Sequence, residues 1–416
     1  MTRARLRVLI SAYACEPDRG SEPGLGFGIA RQMAELHDVW VLTRANNRGP
    51  IQTALKDKPI SSLIPVYFDL PPALRFWKRG PRGVQLYYLL WQRASLAAAR
   101  KLHMTVGFDL VHHVTFAKCW SPSGIAQLGP PFLWGPLGGG DSTPRAFLGE
   151  YSLRGRAKNQ ARECFRTLST VVPALRATAS RSTISLAATE DTAMFLSRIG
   201  ARDIRRLSQA ALDSEEIDKL ASMKTERDGT IVRFACLGNL LCLKGFNLAV
   251  AAFARASLLE SELWIIGDGP ERRRLEQLAA SLGVEPVVRF HGRLARDEAL
   301  QRLSECDVLV HPALHDTSPW ACVEAMALGL PVIALAHTGP QVMVPPSAGI
   351  LVQCVDPRST IESLALAMSQ LANDPIERRR LGDGGRREVR ERFSWTQRGS
   401  ELDALYRELA LGETLP

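Results

Sequence analysis

The chain has 416 residues, 46% of them apolar and 23% charged, which is long enough for two domains of ordinary size, each with its own core. No apolar run approaches the roughly eighteen residues that a spanning helix needs, so a membrane-embedded class is excluded. The net charge of +9 is uneven, with 26 Lys plus Arg against 13 Asp plus Glu in residues 1–200 and 26 against 30 in residues 201–416. A basic first half suits an anionic partner, but it carries no helix-turn-helix, zinc-finger or aromatic RNA-binding signature, so nucleic acid is not expected.

In chain order, Arg3 to Arg7 followed by Val8-Leu9-Ile10 reads as a first strand, over 8–11, because Cys15-Glu16-Pro17-Asp18 interrupts any signal-peptide core. A turn, Gly20-Ser21-Glu22-Pro23-Gly24-Leu25-Gly26, then leads to a helix predicted over 28–35 and a strand over 39–43. Arg75-Phe76-Trp77-Lys78-Arg79-Gly80-Pro81-Arg82 mixes cations with aromatics ahead of a helix bearing Tyr87, Tyr88 and Trp91, a composition suited to an anionic membrane surface or to an ordinary core helix beside a solvated loop. The strand over 110–113 ends in His112 and His113, and alternation lets only one of them face a given side. Gly135 to Asp141 is a glycine-rich loop.

Further strands are predicted over 232–236, 263–267, 287–291, 308–311 and 332–335, with helices over 247–256, 271–281, 296–304 and 321–328. This alternation predicts parallel sheets and two doubly wound α/β domains. The polar stretch 210–230 sets their boundary, giving domains over 1–209 and 210–392 and a closing helical segment over 393–416. Ligands of open α/β sheets bind at the carboxyl ends of the strands, which places the expected site in a cleft between the two domains. The eight cysteines show neither CxxC pairs nor zinc spacing, so the expectation is no metal, reduced thiols and a cytoplasmic location, with peripheral association at the inner face of the membrane.

Three stretches carry candidate chemistry. In His315-Asp316-Thr317-Ser318-Pro319-Trp320-Ala321-Cys322-Val323-Glu324, two carboxylates lie eight positions apart across the opening of a helix. Carboxylates accept hydrogen bonds from sugar hydroxyls, and a helix N-terminus attracts phosphate, so the pattern suits a nucleotide sugar. Gly238-Asn239-Leu240-Leu241-Cys242-Leu243-Lys244-Gly245 follows a strand and places an ammonium within reach of a diphosphate. Gly267-Asp268-Gly269 ends the next strand where a backbone could approach a ligand.

The first stretch, continued by Ala325-Met326-Ala327-Leu328-Gly329-Leu330-Pro331-Val332, resembles the signature of family 4 of the retaining glycosyltransferases, and the turn over 12–24 resembles the subgroup that builds bacterial exopolysaccharide. The resemblance covers nearly the whole chain and implies a GT-B fold with the closing helix packed back on the first domain. It implies transfer of a sugar from a UDP- or GDP-sugar to a hydroxyl on a glycan or lipid-linked acceptor, with retention and without metal or cofactor. By the same resemblance Glu324 binds the donor ribose and Asp316 contacts the sugar. N–H groups near Thr317 and Ser318 approach the sugar and diphosphate, Lys244 and Gly267 serve the diphosphate side, and His113, chosen over His112, hydrogen-bonds the sugar. Gly20 and Ser21 face the diphosphate across the cleft. Three positions depart from the family pattern: Asp316 stands for Glu, Asn239 for Arg beside Gly238, and Ser21 for Gly. The rival readings are a nucleotide-sugar epimerase, a phosphorylase, or a sugar-nucleotide-binding pseudoenzyme.

Overall fold

The computed structural model describes residues 4–17, 22–78, 80, 83–224 and 230–412. Gly20, Ser21, Arg79 and Arg82 lie outside the described residues. Two compact units are present: Met1–Gly140, Phe165–Ala211 and Trp395–Pro416 form the first, and Asp141–Cys164 with Leu212–Ser394 form the second. The chain therefore changes unit at about the polar segment near residue 210 and at Ser394. It also does so twice where no composition shift marks it, because residues 141–164 cluster with the second unit.

The first unit is a seven-stranded sheet of β1 (Arg7–Ala12), β2 (Asp38–Arg44), β3 (Leu63–Phe68), β4 (Leu110–Thr115), β5 (Phe132–Leu137), β6 (Ile184–Ala187) and β7 (Ile204–Arg206), in the order β3-β2-β1-β4-β5-β6-β7. Every pairing is parallel. Helices cover both faces, so the central strands are buried: in β1 only Arg7 is exposed, and β4 and β5 are buried throughout, β4 with His112 and His113 in its middle. The strands that local pattern does not reveal have specific obstacles. Strand β3 is half-exposed and contains Pro65, β5 contains Gly135 and Pro136, and β7 has three residues, two of them arginine.

The helix after β1 starts at Glu22, earlier than the turn-like composition suggests, with Pro23 in its first turn where a missing N–H costs nothing. Its Gly28 is dictated by packing: a Cβ there would lie 2.1 Å from the ring of Trp395, the first residue of the closing helix Trp395–Leu411. Tyr406 of that helix is fully buried in the same core as Val8, Ile10 and Ile29.

The second unit is a six-stranded parallel sheet of β8 (Val232–Leu237), β9 (Ser261–Ile266), β10 (Val288–Gly292), β11 (Val308–His311), β12 (Val332–Leu335) and β13 (Gly349–Val352), in the order β10-β9-β8-β11-β12-β13. Its core joins Phe234, Val250, Leu263, Val310, Ile333 and Met368, and takes in Phe147 and Tyr151 from the inserted segment. Among the described residues no helix is long and apolar enough to cross a membrane.

Candidate functional site in the second unit

The site is assembled at the carboxyl ends of β8, β9, β11 and β12. Strands β8 and β9 run into Gly238 and Gly267, both in the left-handed region at φ 145° and 142°. A Cβ on Gly267 would stand 1.9 Å from the carbonyl oxygen of Gly238, so the two main chains touch as only glycine allows. The Gly238 N–H donates to the Ile266 carbonyl at 3.0 Å, and the Leu240 N–H to that of Asp268 at 3.0 Å. These bonds fix the loop that presents Asn239, which is exposed, and the short turn Cys242–Lys244.

Lys244 reaches Asp316: its Nζ donates to Oδ2, and the same oxygen lies 3.0 Å from Nε2 of His311, the last residue of β11. Burial by itself would raise the Asp316 carboxyl, but Lys244 and His311 outweigh it and hold the group well below the usual carboxylate range. Burial lowers the His311 imidazole against the pull of Asp316. The main chain of the Asp316 loop is gripped by the start of the helix Thr338–Met343 that follows β12. The Gly339 N–H donates to the Asp316 carbonyl at 2.9 Å and the Thr338 hydroxyl to the same oxygen at 3.1 Å. Thr338 is itself at φ 52°, a costly conformation for a β-branched residue.

Thr317 and Ser318 do not cap the following helix, contrary to their composition. The Thr317 hydroxyl donates to Oδ2 of Asp141, and the Ser318 hydroxyl points to the Met343 sulfur at 4.0 Å. The helix runs Trp320–Leu328 with Pro319 before it and no side-chain cap, and the Cys322 N–H of its first turn donates to the Pro319 carbonyl at 3.0 Å. Glu324 on this helix is 7% exposed, which rules out a solvated helix residue. Its Oε1 accepts from Arg296 Nε at 3.1 Å and Nη2 at 2.7 Å, and Nη2 also pairs with Oε1 of Glu216 at 2.6 Å. Burial raises the Glu324 carboxyl, and Arg296 opposes the rise.

Lys244, Asp316, Thr317, Ser318, Glu324, Gly238, Asn239 and Gly267 thus all belong to one unit. His112 and His113 belong to the first. As strand alternation requires, they point to opposite faces of the sheet. His112 lies between the Tyr406 hydroxyl and the Gly135 carbonyl, both at 2.6 Å. His113 lies between the Tyr88 hydroxyl at 3.1 Å and the Ser123 hydroxyl at 2.8 Å. Burial pushes His112 down to about 4, and burial with the neighbouring His112 pushes His113 down to about 3, so both are neutral near pH 7.

Four participants escaped sequence reasoning: His311, Arg296, Glu216 and Asp141. A histidine ending a buried strand and an arginine opening a helix were the available signals. Asp141, fully buried, was visible only as the end of a glycine triplet.

Residues 221–388, all within the second unit, match the family model described as Glycosyl transferases group 1. The chain is 35% identical over 175 residues, 42% of its length and 48% of the relative's, to the lipopolysaccharide core biosynthesis glycosyltransferase LpsD of Rhizobium meliloti. It is 28% identical over 209 residues, 48% of its length and 52% of the relative's, to a GDP-mannose-dependent monoacylated phosphatidylinositol monomannoside mannosyltransferase of Corynebacterium glutamicum. The chain thus spans about half the length of these curated relatives. Among solved structures, sucrose-phosphate synthase from Thermosynechococcus elongatus aligns over 98% of this chain and 100% of its own with a TM-score of 0.65 at 20% identity. Anabaena HepE in complex with UDP and glucose aligns over 97% and 100% with a TM-score of 0.60 at 16% identity. The chain accordingly has the GT-B fold, and residues 221–388 carry a glycosyl transferases group 1 domain.

Proposed function

We propose that this protein is a retaining glycosyltransferase that moves a sugar from a UDP- or GDP-sugar to a hydroxyl of a glycan or lipid-linked acceptor in the synthesis of a bacterial surface glycan. The observation that carries the reading is the arrangement in the second unit. One ammonium, Lys244, a half-buried carboxylate, Asp316, and a buried one, Glu324, lie about an uncapped helix N-terminus at the strand ends of a parallel sheet. Each part has a counterpart in a nucleotide sugar. The helix N–H groups and Lys244 meet the diphosphate, Asp316 the transferred sugar and Glu324 the ribose.

Departure of the nucleotide on the same face as attack builds negative charge on the diphosphate, and fixed cations and N–H dipoles stabilise that charge more than a strong base would. Lys244 exchanges its Asp316 contact for the diphosphate, which leaves Asp316, still beside His311, to accept a sugar hydroxyl. In this reading the chemistry uses no metal and no cofactor beyond the donor. The LpsD and mannosyltransferase likenesses support the substrate class.

The deciding experiment is a panel of UDP-, GDP- and ADP-sugars assayed for nucleotide release with and without a lipid-linked acceptor. Acceptor-dependent release with an α-linked product from an α-linked donor is expected. Donor isomerisation without acceptor would indicate an epimerase, dependence on free phosphate a phosphorylase, and binding without release a pseudoenzyme. Peripheral membrane binding belongs to the same proposal. Phe76 is 76% and Leu86 55% exposed beside Lys78. Sedimentation with anionic vesicles at low salt, released at high salt, is the expected outcome, and a protein that stays in the supernatant would favour a soluble acceptor.

A further inference from the structure

We infer that Arg296, braced by Glu216, is a positioning residue for nucleotide recognition: it orients the Glu324 carboxylate and keeps it ionised so that its second oxygen is presented to the ribose. The inference rests on the reading of Glu324 as the ribose acceptor.

Three helices meet here, Ser214–Met223, Arg296–Ser304 and Trp320–Leu328, each contributing one charged side chain. Arg296 is the first residue of its helix, where the macrodipole disfavours a cation, so helix stability does not account for it. Stability of the unit does not account for it either, because an ion pair with one partner more than a third exposed commonly contributes little net. The geometry is one-sided. Both guanidinium donors go to Oε1 of Glu324, at 3.1 and 2.7 Å, and no described hydrogen bond reaches Oε2. The guanidinium cannot swing towards Oε2, because its Nη2 is held at 2.6 Å by Glu216. A carboxylate is acceptor-only when ionised, and two adjacent ribose hydroxyls are two donors. The two lone-pair sites of Oε2 meet that demand only if the group is charged and its torsion is set. A 7% exposed carboxylate with no cation beside it would take up a proton and turn one acceptor into a donor.

The test compares UDP and GDP with their 2′-deoxy counterparts by calorimetry on the full chain. Wild type should prefer the ribonucleotide by tenfold or more. Glu324→Ala should abolish that preference, and so should Arg296→Ala, leaving affinity for the deoxynucleotide little changed. Arg296→Lys should recover part of the preference. As pH falls from 8 to 6, ribonucleotide affinity should drop in Arg296→Ala while wild type stays flat, which a purely structural role would not produce. Should Arg296→Ala not fold, Glu216→Gln and Arg296→Lys carry the comparison. If Glu324→Ala abolishes the preference but Arg296→Ala and Arg296→Lys both retain it at every pH, the positioning role is overturned and the Glu324 reading stands. If Glu324→Ala retains the preference, or wild type binds neither nucleotide, the underlying reading fails and takes this inference with it.

Discussion

The two units share one plan: in each, the third, second, first, fourth, fifth and sixth strands lie side by side and parallel. They treat the polar groups in and around their central strands in opposite ways; β4 runs on to Thr115, so His112 and His113 lie inside it and not, as predicted, at its end. In the first unit, His112 and His113 are fully buried, each saturated by two internal partners, and neutral. In the second, Lys244, Asp316, Arg296 and Glu324 form charged pairs beside an uncapped helix. One architecture therefore holds neutral, saturated polar groups in one place and paired charges in the other. The difference lies in the side chains rather than in the fold.

Removing Lys244, the cation proposed to meet the diphosphate, should give the largest effect. Lys244→Ala is expected to lower turnover by about a hundredfold or more in a nucleotide-release assay, while Asn239→Arg preserves or raises it, since a second donor can oppose leaving-group charge. A fully active Lys244→Ala enzyme would remove the functional contrast between the units. Next, Gly267→Ala should destabilise by at least roughly 1–3 kcal/mol in urea unfolding, because alanine at φ 142° is strained and its Cβ meets the Gly238 carbonyl. Unchanged stability would mean that the close approach of the two glycines is not maintained in solution.

Glu324→Ala should weaken nucleotide binding by about 1.5–3 kcal/mol per lost charged hydrogen bond, read by calorimetry. Unchanged affinity would return Glu324 to a structural role. The remaining effect belongs to the first unit and unfolds gradually with pH. His112 is depressed to about 4 from an unfolded value of about 6.5, so the unfolded chain binds more protons between those values. Stability should therefore be full above about pH 6.5 and decline as pH falls towards 4, by up to about 1.4 kcal/mol per pH unit per histidine. Thermal unfolding of wild type against His112→Gln reads this, and an identical slope in both would assign the acid sensitivity elsewhere.

The sequence by itself determined the layer plan, because helix-flanked parallel strands are buried on both faces and the largely apolar runs at 8–11, 232–236 and 308–311 could be little else. It also determined the neighbourhood of Lys244 and Asp316, since each sits a few residues past a strand end and the topology brings strand ends together, with Glu324 on the helix that follows. Edge strands such as Leu63–Phe68 and Ile204–Arg206 stayed hidden because partial exposure erases the apolar signal. Only the tertiary structure decided the partners. Residues 141–164 cross into the second unit, where Asp141 takes the hydroxyl of Thr317 176 positions away. Arg296 meets Glu324 across 28 positions. Local propensity reads across a few residues, whereas a buried carboxylate takes whichever cation three-dimensional packing brings to it, and that choice is invisible until the sheets are assembled.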